Sequence, residues 1–383
     1  MHIVKTQNQE RNLFIPYFYL ISSMNIIFYP FIKRWNGYID ELTVLFLFFI
    51  GYRSLRFQKG KEFYIILFIL VFYLLYSLLW GQNVYKAAIL DFLLFLKPFI
   101  SFFIPLLVPF QISERRIKYI RKFYFCCGFL CVLQLPFLNQ IYSNTAGYYQ
   151  CCIVSGLSYL LFSNYSRKDY FYALLFFTAG LASIRAKFFT EYIFIIFVVY
   201  FLHSKIRINL KWIIVTGIIA GVSIYVSWEK FNMYFISGVD NEAVRSLFYA
   251  YTPNVMMDYF PLGPGFGTFN TEAAAQFYSP LYVKYGLDYI WGMREIDYHT
   301  DADFLHDTFY PALSQFGILG FILYFWFWMR RWKEAFALNM DVYKLFIIVF
   351  FIMVIQNLAD NSFTGAVGIS YMMMLGIILT KEK

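Results

Sequence analysis

Charge is what this chain lacks most. Only 14% of its 383 residues are Asp, Glu, Lys or Arg, against about 25% in soluble domains, and that shortage excludes a water-soluble globular protein. Cysteine is scarce too. The five present (Cys126, Cys127, Cys131, Cys151, Cys152) all lie in apolar stretches. They form no paired CxxC spacing, so they read as small apolar helix residues and not as metal ligands. Internal repeats and low-complexity tracts are missing, which removes the usual signature of a secondary transporter. Met1 to Asn12 is polar, and the first apolar run reaches membrane length without a small-residue cleavage site. No cleavable signal is therefore expected.

What is abundant is apolar side chain: 60% of residues are hydrophobic and 23% aromatic. A span needs roughly 20 apolar residues. Twelve are expected, at about 13–32, 38–52, 62–80, 84–109, 119–138, 145–163, 170–184, 187–203, 211–228, 307–329, 343–359 and 364–380. The predicted class is all-α, a polytopic membrane helix bundle forming one domain over 1–383. With both termini inside, the inner connections hold 22 of the 32 Lys and Arg residues, the outer ones hold nine, and Lys97 sits within a span. That asymmetry is the expected one for a cytoplasmic face. The net charge of +9 then reports topology and anionic lipid contact, not nucleic acid.

One connection is long. Residues 229–305, between spans nine and ten, form an extracytoplasmic loop expected to carry short helices, and loops of this size are usually functional. Asp240-Asn241 reads as a helix start. Val244, Leu247, Phe248 and Tyr251 then follow at helical spacing, which predicts an amphipathic helix lying along the membrane interface. Pro253 is expected to end or bend it. The run Pro261-Leu262-Gly263-Pro264-Gly265-Phe266-Gly267 is not a nucleotide loop, because no strand precedes it. A backbone nest for some other anion stays open.

The chemistry-bearing residues gather on that side. Arg185 and Lys187 lie in the turn between spans seven and eight, Arg245 on the loop helix, and His306 at the end of the loop. Each alone reads as a headgroup anchor. Together, on the face where cations are scarce, they suggest an anionic ligand such as phosphate, which Arg grips with a planar fork. His306 titrates near ambient pH and suits a general base, with Asp307, Asp303 and Asp301 close enough in sequence to orient it. The group His299, Asp301, Asp303, His306 and Asp307 also resembles a divalent-cation site; the preferred reading has no metal and no cofactor. Within the spans, Asp91 and Lys97 lie on the fourth, where Lys97 precedes Pro98, and Glu191 lies on the eighth near Arg185 and Lys187. Charges there usually face a bundle interior.

Three of these features resemble the O-antigen polymerase/ligase superfamily of bacterial polysaccharide assembly. His306, a polar residue, nine residues and then Gly317-x-x-Gly320 is similar to the ligase pattern, although Asp307 stands where that pattern has Asn, Ser or Gln. Arg245 followed by Pro261-Leu262-Gly263-x-Gly265-x-Gly267-x-Phe269 is similar to a second stretch. Arg185 in a small-residue turn is similar to the family's Ser-Arg segment, with Ile184 interposed after Ser183. The resemblance covers about 185–320.

It implies a membrane-embedded glycosyltransferase of the bacterial inner membrane, polymerising undecaprenyl-diphosphate-linked oligosaccharide repeats on the outer face with inversion of the anomeric centre. His306, Asp307 and Asp303 would be the catalytic group, and Arg185, Arg245, Lys187 and Lys97 would bind the diphosphate. Implied partners are the lipid-linked donor and acceptor and membrane lipids, with room for a chain-length regulator and a flippase, and no nucleic acid. The aromatic richness and compact chain favour a polymerase. The His306 spacing and the single large loop favour a ligase that moves finished glycan onto lipid A–core. A secondary transporter is the alternative from another class, since intramembrane charges also mark ion pathways.

Overall fold

A computed structural model describes residues 14–380, apart from 33–35, 55–59, 109, 111, 143–144 and most of 207–227. Among the described residues the regular structure is helical and there is no strand. Hydrophobic runs too long for strands and too poor in turn residues to fold back leave the helix as the way to satisfy every backbone N–H and C=O.

In chain order the larger helices are α1 (Phe14–Ile27), α2 (Asn36–Ser54), α3 (Lys61–Trp80), α4 (Tyr85–Leu107), α5 (Glu114–Leu133), α6 (Thr145–Leu161), α7 (Arg167–Gly180) and α8 (Ala186–Phe201). Then follow α9 (Val244–Asp258), the short α10 (Glu272–Gln276), α11 (Gly317–Ala335), α12 (Met340–Ala359) and α13 (Ala366–Thr380). Among the described residues four stretches are long and apolar enough to cross a membrane: α3, α4, the run Phe309–Ala335 that contains α11, and α12. A fifth is α5 with its continuation Leu135–Ile141, bent by 50°. The described residues thus form an all-helical bundle with four or five membrane-length helices. Helices also stand at the other expected spans, but they are shorter or more polar. The expected ninth span, 211–228, lies largely outside the described residues.

The core is apolar and continuous, with α13 packed along α4 and α12 against α8. Several ion pairs reach into it. Arg331 on α11 is 1% exposed and bonds Glu62 of α3 while lying beside the rings of Phe102, Phe103 and Phe327. Arg121 bonds Asp169, whose carboxylate also caps the start of α7. Four of the five cysteines are buried and all are free thiols.

The 229–305 segment builds a small core of its own. Val244, Leu247, Phe248 and Val255 of α9 pack on Phe269, Tyr282, Leu287 and Met293. This corrects two expectations. The apolar stripe of α9 is spent on loop packing and not laid along an interface. The helix also starts at Val244, with Ala243 as its cap, and runs through Pro253 to Asp258. Proline there costs one hydrogen bond, which the buried stripe on either side offsets.

The glycine run locks this segment to the bundle. Gly263, Gly265 and Gly267 all have left-handed φ (78°, 95° and 72°). The N–H of Gly265 donates to Gln315 O (3.0 Å) and that of Phe266 to Ser77 Oγ (2.8 Å). Gly267 N–H reaches both Asp91 Oδ2 (2.8 Å) and Gln315 Oε1 (3.0 Å). Gly263 N–H is taken by Tyr259 O, and Thr268 N–H faces Gln315 Oε1 at 3.5 Å. The nest left open for an outside anion is therefore occupied by the protein's own Asp91 and Gln315.

Gly263 meets Gly317, the first residue of α11, backbone to backbone. A Cβ on Gly317 would stand 2.3 Å from Pro261 O, at a φ of +57°. Left-handed backbone costs an L side chain about 1–2 kcal/mol before any clash. Gly317→Ala is expected to lower the unfolding midpoint in detergent by at least that free energy. Gly147→Ala, in the first turn of α6 with its nearest neighbour 3.5 Å away, should be neutral or mildly stabilising. Equal midpoints for Gly317→Ala and wild type would remove the interlock from the account.

Candidate functional site

His306 is positioned from both sides by the loop core. The fully buried Tyr282 donates its hydroxyl to Leu305 O (3.2 Å) and accepts from Asn270 N–H (3.1 Å). The Asn270 side-chain amide donates to both oxygens of Thr308, each at 2.6 Å. Asp303 accepts from the amides of His299 (3.0 Å) and Leu305 (3.3 Å). Leu305 and Phe309 are 0% exposed and anchor the segment. His306 is left with its side chain about one-third exposed (35%), three residues before a membrane-length stretch.

Its two nitrogens face different carboxylates. Nε2 lies 3.2 Å from Glu272 Oε2, and Nδ1, which is buried, lies 3.6 Å from Asp303 Oδ1. Glu272 is steadied by the Tyr298 hydroxyl on its other oxygen (2.8 Å). Asp307, expected to orient the imidazole, instead pairs with Arg245 at 2.9 Å and 2.6 Å. Asp307 thus turns to α9 while His306 faces α10.

Burial alone would lower the His306 pKa, but Asp303, Glu272 and Asp307 outweigh it, and the imidazole is raised above its ordinary 6.5. Burial pushes Asp303 the other way, upward; the imidazole and the two amides more than offset this and hold its carboxyl below the usual range.

The expected diphosphate-binding cations separate into two groups. Arg185 stands in the turn before α8, where the exposed Ile184 takes a left-handed φ of 53°. That conformation is strained for a β-branched residue. Arg185 Nε donates to Thr145 Oγ1 (3.1 Å). Lys187, two residues on, pairs with Asp360 just past α12 and lies 5.3 Å over the Tyr149 ring. It is also within electrostatic range of Arg185, Arg245, Asp307 and Glu191. Tyr249, one turn after Arg245, donates to Leu358 O (2.9 Å) and lays α9 across the end of α12. Arg185, Lys187 and Arg245 thus share one end of the bundle with His306.

Lys97 does not join them. It pairs with Asp40 of α2 at 3.2 Å, with both side chains nearly buried. Twelve residues from the start of α4, it sits about 18 Å along the helix from the loop end. Asp40 supplies its charge balance, which accounts for a lysine inside the bundle. Glu191 is fully buried beside Gln356 (3.5 Å), and the carboxylate bonded to Lys187 is that of Asp360.

Each of the two paired cations at the loop end is therefore held by a carboxylate, Arg245 by Asp307 and Lys187 by Asp360. A phosphate oxygen arriving there would meet donors already organised for an anionic oxygen. Among the described residues no three His, Cys, Asp or Glu side chains stand in a metal-ligating arrangement.

Sequence reasoning missed Glu272, Tyr298, Asn270 and Asp360. Asp360 had a weak signal, as the first charge after a span on the same side as Arg185. Glu272 had none, because 34 residues separate it from His306 and the loop core alone joins them. No protein-family model matches the chain, and no curated protein matches it.

The raised His306 pKa and the lowered Asp303 pKa predict a pH window. The Asp303 contribution is present above the ordinary carboxyl range and is lost as pH falls through its lowered value. The His306 contribution is complete below 6.5 and is lost as pH rises through its raised value. The amides of the 299–306 turn should thus show their highest protection factors, exchange being compared with the intrinsic rate at each pH, between about pH 4.5 and 6.5. The His306 ring titrated by NMR should show a pKa above that of free histidine, falling towards it in Asp303→Asn. A ring titrating below 6.5 in the wild type would contradict this electrostatic description.

Proposed function

We propose that the chain is a multi-pass glycosyltransferase of the bacterial inner membrane, related to the O-antigen polymerases. In this reading it joins undecaprenyl-diphosphate-linked oligosaccharide repeats into O-antigen or capsular polysaccharide. The twelve-span topology, with both termini cytoplasmic and 229–305 on the outer face, belongs to the same proposal and rests on the basic-residue asymmetry. One observation carries the chemistry: a His306–Glu272–Asp303 group lies beside Arg245 and Lys187 at the mouth of a membrane-length helix. Three segments of the resemblance, around Arg185, at 261–269 and at 306–320, converge there, and the second and third interlock through Gly263 and Gly317.

The division of work follows from the groups present. Arg245 and Lys187 exchange their carboxylate partners for the diphosphate oxygens, and Arg185 closes the site from the α7–α8 turn. The acceptor hydroxyl loses its proton at the His306–Glu272 pair and attacks the anomeric carbon. The bond to the lipid diphosphate breaks with its electron pair, and fixed guanidinium charge stabilises the leaving group as it develops. Attack opposite that group inverts the anomeric centre.

Replacing Arg245 or Arg185 by Ala is expected to weaken binding of undecaprenyl diphosphate to purified protein by about 1.5–3 kcal/mol, with a matching loss of rate. Arg245→Lys should recover only part, since a point charge lacks the fork. His306→Ala should stop glycan transfer while donor binding persists. Wild-type binding and turnover in both arginine variants would make these residues headgroup anchors and overturn the mechanism.

The ligase reading is favoured by the nine residues between Asp307 and Gly317 and by the single large loop. The two are separable by the glycan of a strain lacking the chain. Loss of a polymerase leaves lipid A–core carrying a single repeat, and that is the expected pattern on a gel. Bare core would assign the chain to ligation, and an unchanged glycan would reopen transport.

A further inference from the structure

The proton-accepting atom of the site is not fixed by naming the His306–Glu272 pair, and the geometry separates its two members. The His306 ring presents Nδ1 to a buried position facing Asp303 (3.6 Å) and Nε2 to Glu272 (3.2 Å). Both nitrogens therefore point at carboxylate oxygens, which are acceptors only. A neutral imidazole would set one lone pair against a carboxylate; the doubly protonated ring sets an N–H against each. The buried Nδ1 is closed to an incoming acceptor hydroxyl, and Nε2 already faces the Glu272 oxygen.

Glu272 is arranged in the opposite way. Its carboxylate receives Tyr298 OH on Oε1 (2.8 Å) and faces His306 Nε2 with Oε2. Its side chain is 39% exposed. Two carboxylate oxygens offer about four acceptor positions, so two remain for an incoming donor. Thr271, the residue before it, caps α10 by accepting the Ala274 amide (3.2 Å). That cap sets where the Glu272 side chain leaves the backbone. The charged groups facing the pair are Asp303 and Asp307 from the His306 segment, and Asp307 is itself engaged by Arg245 of α9.

We propose that Glu272 is the group that takes the proton of the acceptor hydroxyl, and that His306 is its positioning partner. The step rests on the glycosyltransferase reading above. The hydroxyl oxygen forms the new glycosidic bond, its proton passes to a Glu272 oxygen, and the old bond to the lipid diphosphate breaks with its electrons. Glu272 then returns the proton to water through its exposed edge. His306 holds the carboxylate in place and, while protonated, balances its charge between turnovers.

The test compares wild type, Glu272→Gln, Glu272→Asp and His306→Gln in purified form, reading both binding of undecaprenyl diphosphate and glycan transfer from the lipid-linked repeat. Gln can keep the Tyr298 contact and still offer an oxygen to His306, so the packing of the site survives. The direction of the pH dependence separates a carboxylate base from a carboxylate that orients a histidine base. The proposal expects that variant to bind the lipid diphosphate as wild type does and to lose roughly 10²–10⁴-fold in transfer, the range of general-base catalysis. Glu272→Asp should retain part of the rate. In the wild type kcat/KM should decline as pH rises through the His306 titration, because the positioning cation is lost, and His306→Gln should flatten that decline. Transfer by Glu272→Gln within a few-fold of wild type, or a wild-type rate that climbs as His306 becomes neutral, overturns the assignment and returns the base to His306. Wild-type protein that neither binds lipid diphosphate nor transfers glycan overturns the parent reading instead.

Discussion

Irregular backbone at the head of a membrane bundle must have every amide satisfied, and Asp91 is the side chain that makes this possible. It is fully buried on α4 and accepts Gly267 N–H. Ser77 of α3 does the same for Phe266, and Gln315, just before α11, for Gly265 and Gly267. Unpaired, each such amide would cost on the order of 1–3 kcal/mol in a dry setting. Paired, they fasten the 261–268 turn to three helices at once. The close approach of Gly263 to Gly317 follows from that fastening, and so does the placement of the loop core above it.

The same core then aims the candidate site. Tyr282, Asn270 and Asp303 fix the backbone on either side of His306, while Thr271 and Tyr298 fix Glu272. Neither catalytic candidate relies on a long, free side chain. The imidazole and the carboxylate meet because two segments of the loop are packed on one set of buried aromatic rings. Rigid support of this kind is what a proton-transfer pair needs, since its partners must stay within hydrogen-bond reach.

Five cations are each held by a carboxylate. Lys97 has Asp40, Arg331 has Glu62, Arg121 has Asp169, Lys187 has Asp360 and Arg245 has Asp307. The first three pairs lie within the bundle and serve its packing. The last two stand at the loop end beside His306, where an anionic ligand can compete for the cation. Location in the fold, and not residue type, separates the structural pairs from the candidate binding ones.

Much of this was legible in the residues themselves. Low charge and long apolar runs dictate helices, because helices satisfy their own backbone within a single segment. The helical stretches around α3, α4, α11 and α12 follow directly. His306 could be found as a titratable group where polar loop meets apolar helix, and Arg185, Lys187 and Arg245 as cations against the charge bias. What periodicity could not tell was which way a stripe faces: that of α9 is equally suited to lipid and to Phe269 and Tyr282, and only the folded loop chose. Nor could spacing predict partners. Asp307 adjoins His306 in sequence yet bonds Arg245, whereas Glu272, 34 residues away, faces the imidazole. The sequence by itself determined the helical class and singled out the cations and histidine of the candidate site. Tertiary structure alone decided their pairing, because contacts between distant residues depend on how the loop closes on its core, and local patterns carry no record of that closure.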